Sequence, residues 1–364
     1  MPVQLIRGNA LDLPLADGSV DLVVTSPPYF GLRSYTDGGE HYAGQLGAEA
    51  TQAEFVDALL AATREMARVL KPSGSIWIDL GDKYQSSGPR RSAPGVRAKS
   101  LIGIPWRYAI RCIDDLGLIL RAEVIWSKPN GLPESVTDRV RRSHETWFHF
   151  TKQPRYYSAV NELRTPHMNA RTRPRNGGPS AAWGRDGKFG DVTGEGHNMG
   201  NPLGALPGSV WSIPTEPLTV PDHLGVDHYA AFPMEWPRRL VTGWSPRTVC
   251  TACGEGRRPV AASVGLDMSR RPTAFTDECA CPDTSAPSTP GVILDPFGGT
   301  GTTALVADAL GRHGISVDMS ADYLRIAQWR TTDPRQRAKA AQRDYTPPQP
   351  QIEGQSFLFG EETE

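Results

Sequence analysis

One segment near the C-terminal end constrains the fold more than any other feature. Residues 292–303 read VILDPFGGTGTT, an apolar run that enters a glycine loop and continues into a predicted helix over 302–310. A second apolar run at 314–317 and a helical pattern over 321–330 follow it. Such a strand-to-helix turn lets a ligand approach the backbone beside helix N-terminal amides. Buried strands alternating with helices predict a parallel sheet covered on both faces.

The earlier part of the chain continues this alternation. The patterns predict strands over 3–6, 20–24, 75–80, 118–126 and 146–151, and helices over 54–70 and 104–116. We therefore predict an α/β fold, a Rossmann-like, doubly wound, mostly parallel sheet.

Four parts of the chain differ in composition. Residues 1–164 and 223–330 form the two halves of one α/β domain in this interpretation. Between them, 165–222 is rich in Gly, Pro, Arg and Trp and too long for an ordinary connection, so we expect an inserted recognition region. A Cys-bearing insertion occupies 248–283, and 331–364 is predicted to be a flexible, polar tail.

Charge is segregated along the 364 residues, although the net charge is only −1. Residues 83–175 hold 18 Lys or Arg and 7 Asp or Glu, so the rest of the chain is acidic. Basic residues in two loops are candidates for DNA binding, although solvated loops would carry the same charges. They are Arg90, Arg91, Arg97, Lys99, Arg171, Arg173 and Arg175.

The N-terminus lacks the pattern of a signal peptide, and no apolar run approaches the roughly 20 residues of a membrane helix. We expect a soluble, cytoplasmic protein without a membrane partner. Two cysteine pairs, Cys250 with Cys253 and Cys279 with Cys281, are separated by 25 residues. This spacing predicts a structural zinc site of four thiolates, and four reduced thiols without metal are the alternative.

A second motif, Thr25-Ser26-Pro27-Pro28-Tyr29, ends the predicted strand over 20–24. Its prolines restrict the backbone, orient a carbonyl group and hold an aromatic ring beside it. Alone, the motif is compatible with a capped strand end. The glycine loop alone is also compatible with a nicotinamide-dependent dehydrogenase, with Asp318 holding ribose hydroxyls.

Together, the two motifs resemble those of the amino-group DNA methyltransferases that use S-adenosylmethionine, in the β arrangement, where the catalytic motif precedes the cofactor motif. Residues 295–301 (DPFGGTG) resemble the cofactor loop and residues 25–29 the catalytic motif. Residues 228–233 (HYAAFP) are similar to a further cofactor-side motif, and 126–130 (WSKPN), with Asp138-Arg139 and His144-Glu145, to a segment that supports the target-base pocket.

The resemblance implies site residues across both halves. The implied catalytic residues are Ser26, Pro27, Pro28 and Tyr29. The implied cofactor-binding residues are Asn9, Thr25, Phe232, Asp295, Pro296, Phe297, Gly299, Gly301, Thr302, Thr303 and Asp318. Phe232 is expected against the methionine part of the cofactor. The chain departs from the family pattern at Asn9, often Asp, and at Ser316, often Gly, which bears on cofactor affinity.

The implied reaction is a direct methyl transfer to an exocyclic amine of a base flipped out of double-stranded DNA. Tyr29 would stack on the base while the Ser26 hydroxyl and the Pro27 carbonyl engage its amino group. Cys112 lies in a predicted helix and is expected to pack in the core rather than attack a base. The Ser26 hydroxyl favours cytosine N4 over adenine N6, because it can donate as well as accept.

Other activities stay open at this stage. The same fold also methylates RNA or protein glutamine, and a non-catalytic DNA-binding relic would keep the basic loops. A cognate restriction endonuclease is a candidate partner.

Overall fold

The structure is a computed structural model. The residues that it describes are 3–31, 36–37, 40–41, 44–85, 95–166, 181–183, 189–191, 203–226, 231–261, 275–279, 281 and 285–345. The basic residues Arg90, Arg91, Arg171, Arg173 and Arg175 lie outside these ranges, as do residues 228–230 of the HYAAFP motif.

Helices and strands alternate along most of the chain. The helices are α1 (Gln52–Val69), α2 (Ile104–Asp114), α3 (Glu235–Trp244), α4 (Thr302–Ala309), α5 (Ala321–Thr332) and α6 (Pro334–Ala340), with short 3₁₀ turns at Val160–Leu163 and Asp222–Leu224. The strands are β1 (Gln4–Arg7), β2 (Val20–Thr25), β3 (Thr36–Asp37), β4 (Glu40–His41), β5 (Leu70–Leu80), β6 (Ile119–Ser127), β7 (His144–Thr151), β8 (Ala181–Trp183), β9 (Phe189–Asp191), β10 (Val210–Ser212), β11 (Thr248–Cys250), β12 (Arg258–Ala261), β13 (Phe275–Glu278), β14 (Ser288–Pro290), β15 (Val292–Asp295) and β16 (His313–Asp318).

Eight strands form the central sheet in the order β1-β16-β15-β2-β5-β7-β6-β10. All neighbours pair in parallel except β7, which is antiparallel to both β5 and β6. The predicted α/β class with a mostly parallel sheet is confirmed. β7 reverses because the connection from β6 contains no helix, and a parallel return would require a long crossover.

Side chains of β5 alternate between two cores. Ile76 and Ile78 face the layer of α1 and α2, where Phe55 and Tyr108 are fully buried. Trp77 faces the opposite layer, which contains Trp147 of β7 and Trp236 of α3. Helices therefore cover both faces of the sheet, as a doubly wound fold requires.

Two regions differ from the sequence-based expectation. The stretch 165–222 contributes β10 to the central sheet, and Trp211 of that strand is buried and stacks on Trp236 with ring centroids 5.0 Å apart. A strand of three residues is too short to give a detectable period. The tail, expected to be flexible from 331, first forms α6, whose Ala340 is buried beside Leu305. Asp333 caps this helix by accepting from the amide of Gln336 at 2.9 Å, and Pro334 occupies its first turn.

Parallel pairing brings the carboxyl ends of β15, β16, β1, β2, β5 and β6 to one edge of the sheet, and antiparallel β7 begins there. Ligands of open α/β sheets bind beyond the carboxyl ends of the strands. Both sequence motifs lie at this edge.

Candidate active site

A buried carboxylate joins the two motifs. Asp295, at the end of β15, accepts hydrogen bonds from the Thr25 hydroxyl at 2.6 Å and the Thr303 hydroxyl at 2.9 Å. The amide of Phe297 also donates to it at 3.2 Å. Burial raises the pKa of Asp295 to about 6, although these hydrogen bonds act in the opposite direction. Asp295, Thr25 and Thr303 are fully buried and hold the end of β2 against the glycine loop.

The glycine loop needs residues without side chains at two points. Gly301 precedes α4 with φ +73°, and a Cβ there would lie 3.0 Å from the Cβ of Ala327 in α5. A Cβ on Gly298 would lie 1.8 Å from the Ser316 hydroxyl of β16. The loop therefore packs closely on β16 and α5, which fixes its path.

Beneath this loop lies Arg330 of α5, which sequence analysis missed. Its Nη1 donates to the hydroxyls of Thr300 and Thr302, both at 2.7 Å. The side chain is 3% exposed, and burial lowers its pKa to about 10. Thr302, expected to bind the cofactor, is thus buried against Arg330 and supports the loop from below.

A first cavity opens in front of the glycine loop. Five of the expected cofactor residues line it: Asn9, Pro296, Phe297, Gly299 and Asp318. The Asp318 carboxylate accepts from the amides of Gly299 and Ser320, both at 2.8 Å. The Asn9 side-chain oxygen accepts from the Leu11 amide at 3.0 Å.

Glu49 also lines this cavity and was not identified from the sequence. Its carboxylate accepts from the Gly47 amide at 2.8 Å, and partial burial raises its pKa. Together with Asp318, it makes the cavity acidic, which suits a ligand that carries positive charge.

A second cavity, of about 760 Å³, lies on the other side of the Ser-Pro-Pro-Tyr motif. Ser26, Pro27 and Tyr29 line it, together with Asp79 at the end of β5 and Glu145 at the start of β7. Ser26 also lines the first cavity. The motif therefore separates the two cavities, and its serine is exposed to both.

A chain of hydroxyl and carboxyl groups runs along the wall of the second cavity. The Ser26 hydroxyl donates to the Tyr29 hydroxyl at 3.4 Å, and Tyr29 donates to Asp79 at 3.1 Å. Burial and the neighbouring Asp79 raise the pKa of Tyr29 well above its ordinary value. The pKa of Asp79 is likewise raised, by burial and then by the negative charge of Glu145. The raised pKa of Tyr29 keeps the proton that this residue donates to Asp79.

Neighbouring residues fix the position of this chain. A Cβ on Gly81 would lie 2.5 Å from Cε2 of the Tyr29 ring, so the ring requires glycine there. Lys128 pairs with Glu145 at 2.6 Å and lies 4.0 Å from the centroid of the Trp126 ring. Two segments, 126–130 and 144–145, resemble a part of the family that supports the base pocket. Residues of both segments line this cavity.

Phe232 lies at the second cavity. The resemblance implies a position beside the cofactor, but Phe232 lines the second cavity and is not among the residues around the first. Its ring meets Trp147 edge to face, with centroids 5.8 Å apart, and this contact with β7 holds it there.

Of the candidate DNA contacts, only Arg97 and Lys99 lie within the described residues. Arg97 is exposed. The Lys99 ammonium pairs with Asp138 at 2.7 Å, and both side chains are largely exposed. Because an exposed pair is weak, phosphate can compete for Lys99.

The four cysteines of the insertion are only partly clustered. The sulfur atoms of Cys250, Cys253 and Cys279 all lie within 4.8 Å of one another, whereas Cys281 is outside this group. Backbone amides of Cys253 and Ala252 donate to the Cys250 sulfur and lower the pKa of this thiol to about 6. Cys112 is fully buried in α2, as expected for a core residue.

Among the described residues, none of the helices has the length and apolar character that a membrane span requires.

Several known proteins are similar to this chain over most of its length. M.XycI, a type II methyltransferase of Xanthomonas campestris pv. cyanopsidis, is 30% identical over 343 residues, which cover 89% of this chain and 85% of that relative. M.SmaI, a type II methyltransferase of Serratia marcescens, is 29% identical over 327 residues, or 85% and 83% of the two chains. A solved structure of the PvuII DNA methyltransferase, described as cytosine-N4-specific, has the same fold, with a TM-score of 0.56 at 20% identity over 94% of this chain and 92% of its own.

The family match itself covers both motifs. Residues 20–329 match the family described as DNA methylase, a range that includes the Ser-Pro-Pro-Tyr motif and the glycine loop. This chain therefore belongs to the DNA methylase family of amino-group (N6 or N4) methyltransferases.

Proposed function

We propose that this DNA methyltransferase transfers a methyl group from S-adenosylmethionine to the N4 amino group of a cytosine flipped out of double-stranded DNA. One observation carries the proposal. Ser26 lines both the acidic cavity before the glycine loop and the larger cavity beside Tyr29. A residue shared by two cavities can contact both the methyl donor and its acceptor.

The residues of the first cavity fit the cofactor. Gly299 permits close approach of a ligand to the backbone, and Asn9 and Asp318 offer polar groups to an adenosine. The carboxylates of Asp318 and Glu49 match the positive charges of the cofactor. When bound, S-adenosylmethionine supplies a methyl group attached to a positively charged sulfur.

The residues of the second cavity would hold the base. The Tyr29 ring offers a stacking surface, while the Pro27 carbonyl and the Ser26 hydroxyl engage the amino group. Accepting hydrogen bonds from the amine draws its lone pair away from the ring. Asp79 acts as a positioning residue, because it accepts from the Tyr29 hydroxyl, which in turn accepts from Ser26. Catalysis then depends on position and electrostatics.

Cytosine is favoured by the chemistry of Ser26. Its hydroxyl can accept from the N4 amine while it donates to Tyr29, or it can turn from Tyr29 and donate to the ring nitrogen next to that amine. The cytosine-N4 description of the PvuII enzyme supports the same choice. Adenine has a similar ring nitrogen beside its N6 amine, so N6-adenine methylation is the alternative.

Double-stranded DNA would lie across the second cavity. Lys128 and Arg142 line this cavity, where Lys128 pairs with Glu145 and Arg142 lies 3.8 Å from Asp82. We assign phosphate contacts to the basic loops, with Arg97 and Lys99 in the first of them, and target recognition to 165–222. The type II relatives make a cognate restriction endonuclease a partner to seek.

Zinc would stabilise the cysteine insertion. Three clustered sulfur atoms provide most of a thiolate site. Cys281 is the candidate fourth ligand. This metal would be structural, since the cluster is separate from both cavities.

The transfer reaction is tested with methyl-labelled S-adenosylmethionine and three acceptors: duplex DNA, RNA and a protein extract. We expect label in duplex DNA, and its loss in a Ser26→Ala, Tyr29→Ala variant that remains folded. Label only in RNA or protein would contradict the proposal. No label in any acceptor, with retained DNA binding, would instead favour the non-catalytic relic.

A further inference from the structure

The loop between β6 and β7 presents an apolar side chain at the entrance to the second cavity. Leu132 lines this cavity, yet 86% of its surface is exposed. The loop, residues 128–143, otherwise carries mostly polar and charged groups around this position. Single exposed leucines are common on protein surfaces, so the feature that distinguishes Leu132 is its position at the mouth of this cavity.

Contacts on both sides fix the backbone of Leu132. The Asn130 amide pairs with the backbone of Thr215, accepting from its N–H at 2.8 Å and donating to its carbonyl at 3.3 Å. Arg141 donates to the carbonyls of Gly131 and Leu132, at 2.8 and 3.3 Å. The side chain is thus held outward by its own loop.

The second half of the loop is also anchored. Arg139 pairs with Glu134 at 2.6 Å, and its guanidinium lies 3.7 Å from the centroid of the Tyr84 ring. Of the three arginines at 139, 141 and 142, Arg141 lies against the Leu132 backbone. Arg139 pairs with Glu134, and Arg142 lies 3.8 Å from Asp82. An apolar tip on a rigid basic loop is complementary to stacked bases between two phosphate backbones.

We infer that Leu132 inserts into the DNA base stack at the position that the flipped base leaves. The inference rests on the proposed function, because a vacated position exists only if a base is extruded into the second cavity. Removing a base from the duplex breaks its pairing and stacking, and an apolar side chain in the gap offsets part of that cost. Leu132 would therefore promote base flipping without touching the reacting atoms.

Val140 provides a matched control. It belongs to the same loop and is 85% exposed, but it does not line the second cavity. A leucine that was merely exposed would respond to substitution as Val140 does. The comparison thus separates insertion from general effects on the loop.

The test compares Leu132→Ala, Leu132→Met and Val140→Ala with the wild-type protein. The substrate is a synthetic duplex that carries the site at which the protein methylates DNA in its expression host, mapped by sequencing. A second duplex has an abasic position opposite the target base, which removes the pairing that must be broken. Single-turnover methylation is measured on both duplexes. Base flipping is measured by 2-aminopurine fluorescence on a matched pair of duplexes in which the analogue replaces the target base.

We expect Leu132→Ala to slow methylation of the paired duplex by about tenfold or more, with a matching loss of the 2-aminopurine signal. On the abasic duplex its rate should return to within about threefold of wild type. Leu132→Met should retain most activity because it keeps the apolar volume, and Val140→Ala should resemble wild type.

Two other results would overturn the inference in distinguishable ways. Equal rates for Leu132→Ala and Val140→Ala, or a defect that the abasic duplex does not relieve, would contradict insertion while leaving the methyltransferase function intact. A wild-type protein that methylates no DNA in the host or in vitro would instead remove the proposed function, and the inference with it.

Discussion

Residues at the end of β5 help to position Ser26 and Tyr29. The Tyr29 ring lies against Gly81, where any Cβ would overlap the ring. Gly81→Ala should therefore displace Tyr29 and reduce the methylation rate by about 100-fold or more, as expected for a small displacement at a reacting centre. Single-turnover kinetics measure this effect, and circular dichroism checks the fold.

Gly208→Ala is the control for this substitution, because a Cβ at Gly208 meets no atom within 4 Å. This variant should keep the wild-type rate. A Gly81→Ala protein with an unchanged rate would show that the position of Tyr29 does not govern catalysis.

The pH dependence of stability tests the buried state of Asp295. Its pKa of about 6 exceeds the ordinary value of 3.8, so the folded protein binds this proton more tightly than the unfolded chain. The group's contribution to the free energy of unfolding is complete below pH 4 and declines as the pH rises through 6. The total change is up to about 3 kcal/mol.

Asp295→Asn removes this titration. The stability advantage of the wild-type protein over the variant should thus be larger at pH 4 than at pH 7, as measured by urea unfolding. An advantage that grows with pH would mean that hydrogen bonds from Thr25 and Thr303 outweigh burial.

Single residues were predictable where a short motif contains them. Ser26 and Tyr29 followed from one contiguous pattern. Glu49, Asp79 and Arg330 did not follow from a motif. The partners of the last two are distant in sequence: Asp79 is 50 residues from Tyr29, and Arg330 is 30 residues from Thr300. A carboxylate at the end of the apolar strand β5 was the available signal for Asp79.

At the scale of elements, the cysteine insertion provides a test by metal analysis. The purified protein should contain about one zinc per chain, and Cys250→Ser, Cys253→Ser or Cys279→Ser should lose it with a lower melting temperature. Cys112→Ala is the control, since Cys112 lies in α2 and should not affect zinc content.

The same measurement decides the role of Cys281. Zinc loss in Cys281→Ser would identify it as the fourth ligand. A wild-type protein without zinc, purified without chelators, would favour four reduced thiols.

Elements with strong periodicity were predictable, and those that depend on distant pairing were not. The long apolar pattern of α1 and the strand before the glycine loop were found within two residues of their observed bounds. β10 depends on pairing with β6, which supplies the burial that three residues alone cannot signal. α6 depends on packing against Leu305 and Met234.

At the scale of the whole molecule, the two halves of the chain meet in one sheet. The bond from Thr25 to Asp295 spans 270 residues and sits beside the pairing of β2 with β15. The site forms because the two motifs follow β2 and β15, which are neighbours in the sheet. The order of the motifs along the chain does not affect this arrangement. The resemblance therefore identified residues that lie together although they are distant in sequence.

Charge segregation predicts salt-dependent DNA binding. Arg90, Arg91 and Arg97 belong to a loop that carries no acidic residue. Replacing all three with alanine should weaken binding to duplexes of any sequence and lower the slope of log affinity against log salt by roughly 1 for each phosphate that is no longer neutralised. Fluorescence anisotropy at several salt concentrations measures the slope, and an unchanged slope would exclude this loop from the DNA interface.

The central claim is that Ser26 and Tyr29 direct a methyl group to the N4 amine of cytosine in DNA. Nucleoside mass spectrometry of DNA incubated with the protein and S-adenosylmethionine tests it most directly. The account predicts N4-methylcytosine with the wild-type protein and none with the Ser26→Ala, Tyr29→Ala variant. N6-methyladenine in its place would contradict the argument from the Ser26 hydroxyl, and the absence of any methylated base would contradict the function.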